Sequence, residues 1–387
     1  MKKNKKKIIV VTSSRADYGL LKNLIKKLFQ SKKIKLHLSV TGTHLSLKHG
    51  KTINEILRDK VSVHSKIKIV INDSPMGISK AFSQSVVKFS ELFIKQKPDL
   101  ILILGDRFEI LASVIAATLN RIPIAHVHGG EETVGAIDNV IRHSITKMAH
   151  VHFASINEYK KRIIQMGENP NLVFNVGAVG LEELNKYKFK TNKYFKKNYN
   201  IDFKKKSILV CFHPVTLEPF KEQIHIRKIL LALKNLKDTN IIFTSPNADQ
   251  GNNKIEKEII KFSKGKKNCF YIRSFGRSDF LSCLRLSNLM IGNSSSGIFE
   301  APSLKTISIN LGDRQQGRIK SKSVIDTHID SIKIEKLIKK FLYKKVAISK
   351  NYFYNPYFKK DVSNRIIKVL ENLETGKIIK KNFFNII

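Results

Sequence analysis

Between His126 and His143 the chain crowds groups that can move protons: His126, His128, Glu131, Asp138, Arg142 and His143, in the stretch HVHGGEETVGAIDNVIRH. Earlier, LILGDRFEI (Leu102–Ile110) passes from an apolar run straight into Gly105, Asp106, Arg107 and Glu109. Carboxylates in unlike environments, with arginines beside them, can supply one ionised base and one protonated acid, the equipment of proton transfer. Three adjoining charges cost desolvation if they face a closed core, so they are expected to open into a cleft. Helix capping by Asp106 and a favourable first-turn acid at Glu109 would account for two of these charges without chemistry, and Glu109 is read as structural on that ground. Capping does not explain Arg107, which is unfavourable at a helix N-terminus. His-x-His on a strand would also put two rings on one face for a metal. Acid–base chemistry accounts for more of the residues, and no metal is expected.

A second set of motifs could hold an anion. GNSSSGIFEAP (Gly292–Pro302) is a turn rich in glycine and serine that runs into a helix. N–H groups, hydroxyls and the helix dipole could hold a diphosphate there. Serine also caps helices well, so the turn alone is a weak signal. Glu300, read as some two turns into that helix, could accept from both hydroxyls of a ribose. TSSRADYG (Thr12–Gly19), TGTH (Thr41–His44), FHPVT (Phe212–Thr216) and SPNADQG (Ser245–Gly251) are further polar turns. No Walker sequence is present and no G-x-G-x-x-G follows the first apolar run. An ATPase or a dinucleotide enzyme is therefore disfavoured, and no cofactor is expected.

Each of these turns directly follows a strand candidate. In the first half these are Lys7–Val11, Lys35–Val40, Ser65–Ile71, Leu100–Leu104, Ile124–His128 and His150–Ala154, with helices at Leu20–Phe29, Ser79–Lys95, Glu109–Leu119 and Asp138–Met148. The pattern restarts with strands at Ser207–Phe212, Asn240–Thr244, Cys269–Arg273, Leu289–Ile291 and Thr306–Asn310. Helices are expected there around Phe220–Leu236, Ile255–Phe262 and Asp279–Leu286. The alternation predicts an α/β fold: two Rossmann-like, doubly wound domains facing a central cleft, with ligand loops at strand C-terminal ends. The polar stretch Asn185–Lys206 reads as the linker. The boundaries expected are 1–184 for the domain carrying the carboxylates and 185–387 for the anion-binding domain, with the C-terminal helix free to pack back on the first.

The bulk numbers agree. A chain of 387 residues is long for one core. No apolar stretch suits a signal peptide or a bilayer span, so the chain reads as cytoplasmic with no membrane partner. Cys211, Cys269 and Cys283 form no C-x-x-C pair and read as small core residues. Lys plus Arg number 71 against 31 acids, a formal charge of +40. The positives are dispersed and no nucleic-acid-binding signature accompanies them, so no nucleic-acid partner is expected.

Together GDRFE, HVHGGE, IRHSITKM, GNSSSG and INLGDRQQGR resemble the hydrolysing UDP-N-acetylglucosamine 2-epimerases, in particular the bacterial enzymes that make N-acetylmannosamine for sialic acid. The resemblance runs in order from VTSSRADYGLL to SVID near residue 325. It implies a glycosyltransferase-B-like fold and conversion of UDP-GlcNAc and water to UDP and N-acetylmannosamine. The C2 proton is removed, UDP is expelled to give a 2-acetamidoglucal, and water adds with inversion at C2. It further implies Asp106, Glu131 and Asp138 as catalytic carboxylates, with His128, His213 and Arg142 beside the reaction. Arg15, Arg107, His213, Asn247, Phe275, Ser294, Ser295, Glu300 and Arg314 would bind UDP, Phe275 mainly through its backbone. Animal relatives carry a glutamate where this chain has His128, so His128 and Glu131 are both candidates for that glutamate's role. A sister activity, on UDP-2,4-diacetamido-2,4,6-trideoxyglucose for legionaminic acid, carries the same motifs. The expected partners are the UDP-sugar and further copies of the chain, as a dimer or tetramer.

Overall fold

A parallel strand covered on both faces reads as an unbroken apolar run, and IIVV (Ile8–Val11) and LILIL (Leu100–Leu104) are such runs. The computed structural model describes residues 5–47, 50–69, 74–184, 187–215, 217–218, 220–247, 251–344 and 349–386. Its first strands are β1 (Lys6–Thr12), β2 (Ile34–Val40), β3 (Ser65–Lys66), β4 (Leu100–Leu104), β5 (Ile124–Val127), β6 (Val151–Ala154) and β7 (Val173–Asn175). Then come β8 (Lys206–Cys211), β9 (Thr239–Thr244), β10 (Cys269–Ile272), β11 (Leu289–Gly292), β12 (Ile307–Leu311) and β13 (Val324–Thr327). The helices are α1 (Arg15–Gln30), α2 (Ile53–Arg58), α3 (Pro75–Gln96), α4 (Phe108–Leu119), α5 (Asp138–Met148), α6 (Asn157–Gln165) and α7 (Asn192–Tyr199). They continue with α8 (Glu222–Leu233), α9 (Asn252–Ser263), α10 (Gly276–Leu286), α11 (Ser296–Ser303), α12 (Ser331–Tyr343), α13 (Val362–Asn372) and α14 (Thr375–Ile378).

The first unit takes Met1–Glu131, Asp138–Glu183 and Tyr357–Ile387. Its sheet runs β3-β2-β1-β4-β5-β6-β7, every neighbouring pair parallel. The pleat sends Ile8, Val10, Leu100 and Leu102 to one face, against Leu21, Leu24 and Leu28 of α1 and Val362, Ile366 and Leu370 of α13. Ile9, Val11, Ile101 and Ile103 pack on the other, against Phe89 and Phe93 of α3 and Ile110 and Val114 of α4. Winding reverses between β1 and β4, so a switch point lies where Ser13 and Gly105 leave the sheet.

The second unit takes Glu132–Ile137 and Leu184–Pro356. Its parallel sheet runs β10-β9-β8-β11-β12-β13, with the switch point between β8 and β11. Gly292 ends β11 there at φ +142, and a Cβ on it would lie 1.9 Å from the Cys211 carbonyl oxygen. Only glycine lets the two strand ends come this close.

Several expectations need correcting. The stretch Asn185–Lys206 is not a plain linker: Asn185 and Lys186 lie outside the described residues, but the rest contains α7 and the start of β8. Phe195 is fully buried there beside Tyr199, Phe203 and Phe275, and Tyr194 and Tyr199 both donate to Asp279. Its aromatic residues supply the apolar area that its lysines hide in composition. The strand expected at Ser65–Ile71 is described only as Ser65–Lys66, and Val70 and Ile71 lie outside the described residues. So do Thr216 of FHPVT and residues 248–250 of SPNADQG. Glu300 sits little more than one turn inside α11, because that helix starts at Ser296. Among the described residues no helix is long and apolar enough to cross a membrane. The three cysteines are free, and Cys211 and Cys283 are buried.

Candidate active site

At the first switch point, the β4 tip presents Asp106 and Arg107. The N-cap of α4 is Arg107, which makes no side-chain capping bond, so capping does not account for Asp106. The Asp106 side chain is 25% exposed and accepts from Nη2 of Arg142, whose side chain is 1% exposed. Arg142 also donates from Nη1 to the Glu131 carbonyl at 3.0 Å. Burial opposes the Arg142 charge, but Asp106, Glu131 and Asp138 more than offset it, and the guanidinium stays protonated. One buried cation on α5 thus holds the Asp106 carboxylate and the Glu131 backbone and is favoured by the charges of Glu131 and of Asp138, the first residue of its own helix.

Glu131 is 2% exposed. Its Oε1 accepts from Ser155 Oγ at 3.0 Å and lies 3.4 Å from His128 Nδ1. His128 Nε2 accepts the Val179 N–H at 3.3 Å. The proton of a neutral His128 therefore sits on Nδ1, facing Glu131. His128 lies just past β5 at φ +66, a left-handed backbone that costs a non-glycine residue about 1 kcal/mol. Such strain gathers at functional sites.

His126 goes elsewhere. Its Nε2 donates to the Gly105 carbonyl at 2.9 Å, and its Nδ1 lies 3.2 Å from Thr146 Oγ1 of α5. It staples the β4 tip to α5. The two rings of His-x-His thus have separate partners, since His128 leaves the strand. Among the described residues no group of three or more His, Cys, Asp or Glu could hold a metal ion.

In the second unit, His213 follows β8. Its Nδ1 accepts the Asn247 N–H at 3.0 Å, which leaves the proton on Nε2 as a donor. Asn293, next to Gly292, clamps the His213 backbone from both sides. Its Oδ1 accepts the His213 N–H and its Nδ2 donates to the His213 carbonyl, each at 2.8 Å. The Asn293 carbonyl in turn accepts from Arg314 Nη1 at 3.1 Å and Gln315 Nε2 at 3.0 Å. His213, Arg314 and the Ser294–Ser295 turn are thus fixed together at the N-terminus of α11, an arrangement that can take a phosphate. Glu300 is 5% exposed and lies 3.4 Å from Arg277 Nη1. Phe275 opens α10, its ring 5.1 Å from that of Tyr199. Arg15 is the first residue of α1, following the β1 tip.

The sequence does not single out Asn293, although it lies within GNSSSG, nor Ser155, Thr146 and Arg277. Only Asn293 carried a local signal, as the polar residue after a strand-ending glycine. The others act through contacts far along the chain.

Burial pushes His44 and His150 down to about 4, and His126 and His213 down to about 3. An unfolded histidine titrates at about 6.5. Between those values the unfolded chain binds protons that the folded chain does not. Stability is therefore full above about pH 6.5 and is lost as the pH falls below it. The melting temperature is expected to drop from pH 7 to pH 5 in scanning calorimetry. An unchanged or rising value would contradict neutral burial of these rings.

The family model described as UDP-N-acetylglucosamine 2-epimerase matches residues 26–371. A Campylobacter jejuni protein named GDP/UDP-N,N'-diacetylbacillosamine 2-epimerase (hydrolyzing) is 37% identical, covering 99% of this chain and 100% of its own. Polysialic acid biosynthesis protein P7 of Escherichia coli is also 37% identical, covering 96% of this chain and 95% of its own. Among solved structures, the UDP-GlcNAc 2-epimerase of Neisseria meningitidis bound to UDP-GlcNAc superposes with a TM-score of 0.80 at 18% identity. It covers 94% of this chain and 99% of that one. That likeness agrees with two parallel-sheet α/β domains of glycosyltransferase-B-like fold.

Proposed function

From the premise that the chain belongs to the UDP-N-acetylglucosamine 2-epimerase family and is a hydrolysing UDP-sugar 2-epimerase, we propose that its substrate is a UDP-2-acetamido sugar, which it converts to UDP and the free 2-epimer. The observation that carries this reading is the buried Arg142, which donates to the Asp106 carboxylate and the Glu131 carbonyl and feels the Glu131 and Asp138 charges. A C2–H beside an acetamido group is a weak acid, so its removal needs carboxylates fixed in a shielded site. One carboxylate takes the C2 proton. The C1–O bond to UDP breaks, its electrons leave with the diphosphate, and a C1–C2 double bond forms. Water then adds its hydroxyl to C1 and a proton to C2 on the opposite face. His213, through Nε2–H, and Ser294, Ser295, Arg314, Arg15 and Arg107 stabilise the departing diphosphate. Asn247 and Phe275 flank the nucleotide and Glu300 holds the ribose. Glu131, aligned by Ser155 and His128, takes the place of the glutamate of animal relatives, with His128 as its partner.

The sugar we assign first is UDP-N,N'-diacetylbacillosamine, which is UDP-2,4-diacetamido-2,4,6-trideoxyglucose, because a relative named as a GDP/UDP-N,N'-diacetylbacillosamine 2-epimerase matches end to end. UDP-GlcNAc is the second reading, favoured by the family's description and by a polysialic acid protein of equal identity. Either product would feed synthesis of a sialic-type acid in the cytoplasm. The test is product analysis with both sugars in heavy water, with chelator and without added cofactor. UDP release and one deuterium at C2 of a free sugar are expected. No UDP release, a product still attached to UDP, or a metal requirement would overturn the reading.

Glu300→Ala is expected to raise KM about tenfold, the scale of losing a hydrogen bond to a charged group, with a smaller change in kcat. A ribose-holding carboxylate binds ground and transition states alike. A normal KM with a collapsed kcat would contradict the role.

A further inference from the structure

Arg107 is held from behind. Its Nε lies 3.2 Å from Glu109 Oε2 and its Nη2 lies 3.2 Å from Glu109 Oε1, a forked pairing. The Glu109 side chain is 0% exposed and the Arg107 side chain 23%. Glu109 belongs to the first turn of α4, two residues on from Arg107, so the helix fixes the carboxylate from which the guanidinium is aimed. A first-turn acid needed only for the helix dipole would face water, where it costs nothing to keep charged.

The socket is built from two further strand ends. After β2, Gly42 stands at φ +58, and a Cβ on it would lie 3.1 Å from Glu109 Oε1 and 2.6 Å from the Ser13 carbonyl oxygen. Any larger residue in place of Gly42 would press on the Ser13 carbonyl and on the carboxylate. After β1, Asp17 is 8% exposed and accepts from Ser13 Oγ at 2.6 Å and from the Ser13 N–H at 3.2 Å. Burial raises the Asp17 carboxyl above its usual value, and the Arg107 charge offsets only part of that rise. SSRAD, TGTH and GDRFE, separate in sequence, thus meet around the Arg107–Glu109 pair at the switch point of the first sheet.

We propose that Glu109 is a positioning residue. It locks the Arg107 guanidinium in one orientation, from which it meets the diphosphate of the UDP-sugar, while Gly42 leaves room for the carboxylate. This rests on the UDP-sugar reading above. An arginine fixed before the ligand arrives loses no rotamer freedom on binding and stabilises charge as it develops.

The test is a double-mutant cycle in the full chain, reading UDP affinity by calorimetry together with kcat and KM. Glu109→Gln places an amide donor against the guanidinium and is expected to weaken UDP binding and lower kcat by about tenfold each, the scale of one charge-assisted hydrogen bond. In an Arg107→Ala background the same change is expected to do nothing further, because the group it aims is gone. Arg107→Lys, at a partly exposed position where folding is safe, keeps the charge but not the fork. It is expected to lose nearly as much as Arg107→Ala. Equal effects of Glu109→Gln in both backgrounds, or an Arg107→Lys enzyme matching the wild type, would overturn the assignment. A wild type that binds UDP but releases none from either sugar overturns the functional reading alone, and the binding cycle still decides the role of Glu109. A wild type that does not bind UDP overturns both.

Discussion

Asp106→Asn is expected to cut kcat by about a hundredfold or more, the usual scale for losing a general acid or base, while UDP affinity stays near the wild-type value. The substitution keeps the shape of the side chain and one oxygen to accept from Arg142, but it cannot take a proton. Asp106 is 25% exposed, enough to meet a substrate, and its carboxylate is held by a guanidinium only 1% exposed. A cap would be indifferent to this change, since asparagine caps as well as aspartate. The position that would cap α4 is occupied by Arg107, which removes that reason for silence. Turnover, UDP affinity and melting temperature measured together decide the matter. A stable, fully active variant would end the assignment.

Arg142→Met is expected to be the most damaging single change to the first unit, costing roughly 3–5 kcal/mol of stability, the range found when one partner of a buried ion pair is removed. The methionine fills much of the space, but it leaves the Asp106 carboxylate and the Glu131 carbonyl without their shared donor. Those two groups stand on different strand ends, so the loss loosens the registry of the site as well as the fold. A fall of several degrees in melting temperature should come with loss of turnover even at temperatures where the variant is fully folded. Arg142→Lys keeps the charge but cannot reach both acceptors at once, so it should recover part of the stability and little of the turnover. Wild-type activity in a folded Arg142→Met protein would show that the gathering of carboxylates around this residue is incidental.

Much of this was legible in the sequence because both switch points announce themselves. LILIL running into GDR, and LMIG running into NSSSG, each show an apolar strand stopping at a glycine before polar residues, as a doubly wound sheet requires. The strands β7 and β13 escaped because Val173–Asn175 and Val324–Thr327 are short edge strands without a clean apolar run. The helix α7 escaped because its lysines mask an aromatic face. At the site, residue types were visible but their assignments were not. Nothing local separates His126, a staple to Gly105, from His128, whose left-handed backbone turns its ring to Glu131. In the sequence Glu109 reads as a dipole partner, because its pairing depends on the side-chain direction of Arg107, which spacing does not encode.

The helix α13 carries a consequence for how the molecule is made. Val362, Ile366 and Leu370 are fully buried in the same core as Ile8 and Val10. On the ribosome that core begins with β1 and cannot be sealed until α13 emerges. At roughly 5–20 residues per second, the opening segment waits on the order of ten seconds or longer with an apolar flank uncovered, while the whole of β8–β13 is synthesised in between. The second sheet, contributed almost entirely by one continuous stretch, Leu184–Pro356, has no such delay. The order of completion therefore inverts the order of synthesis. The half that carries the carboxylates closes last, when α13 covers the apolar flank of its sheet.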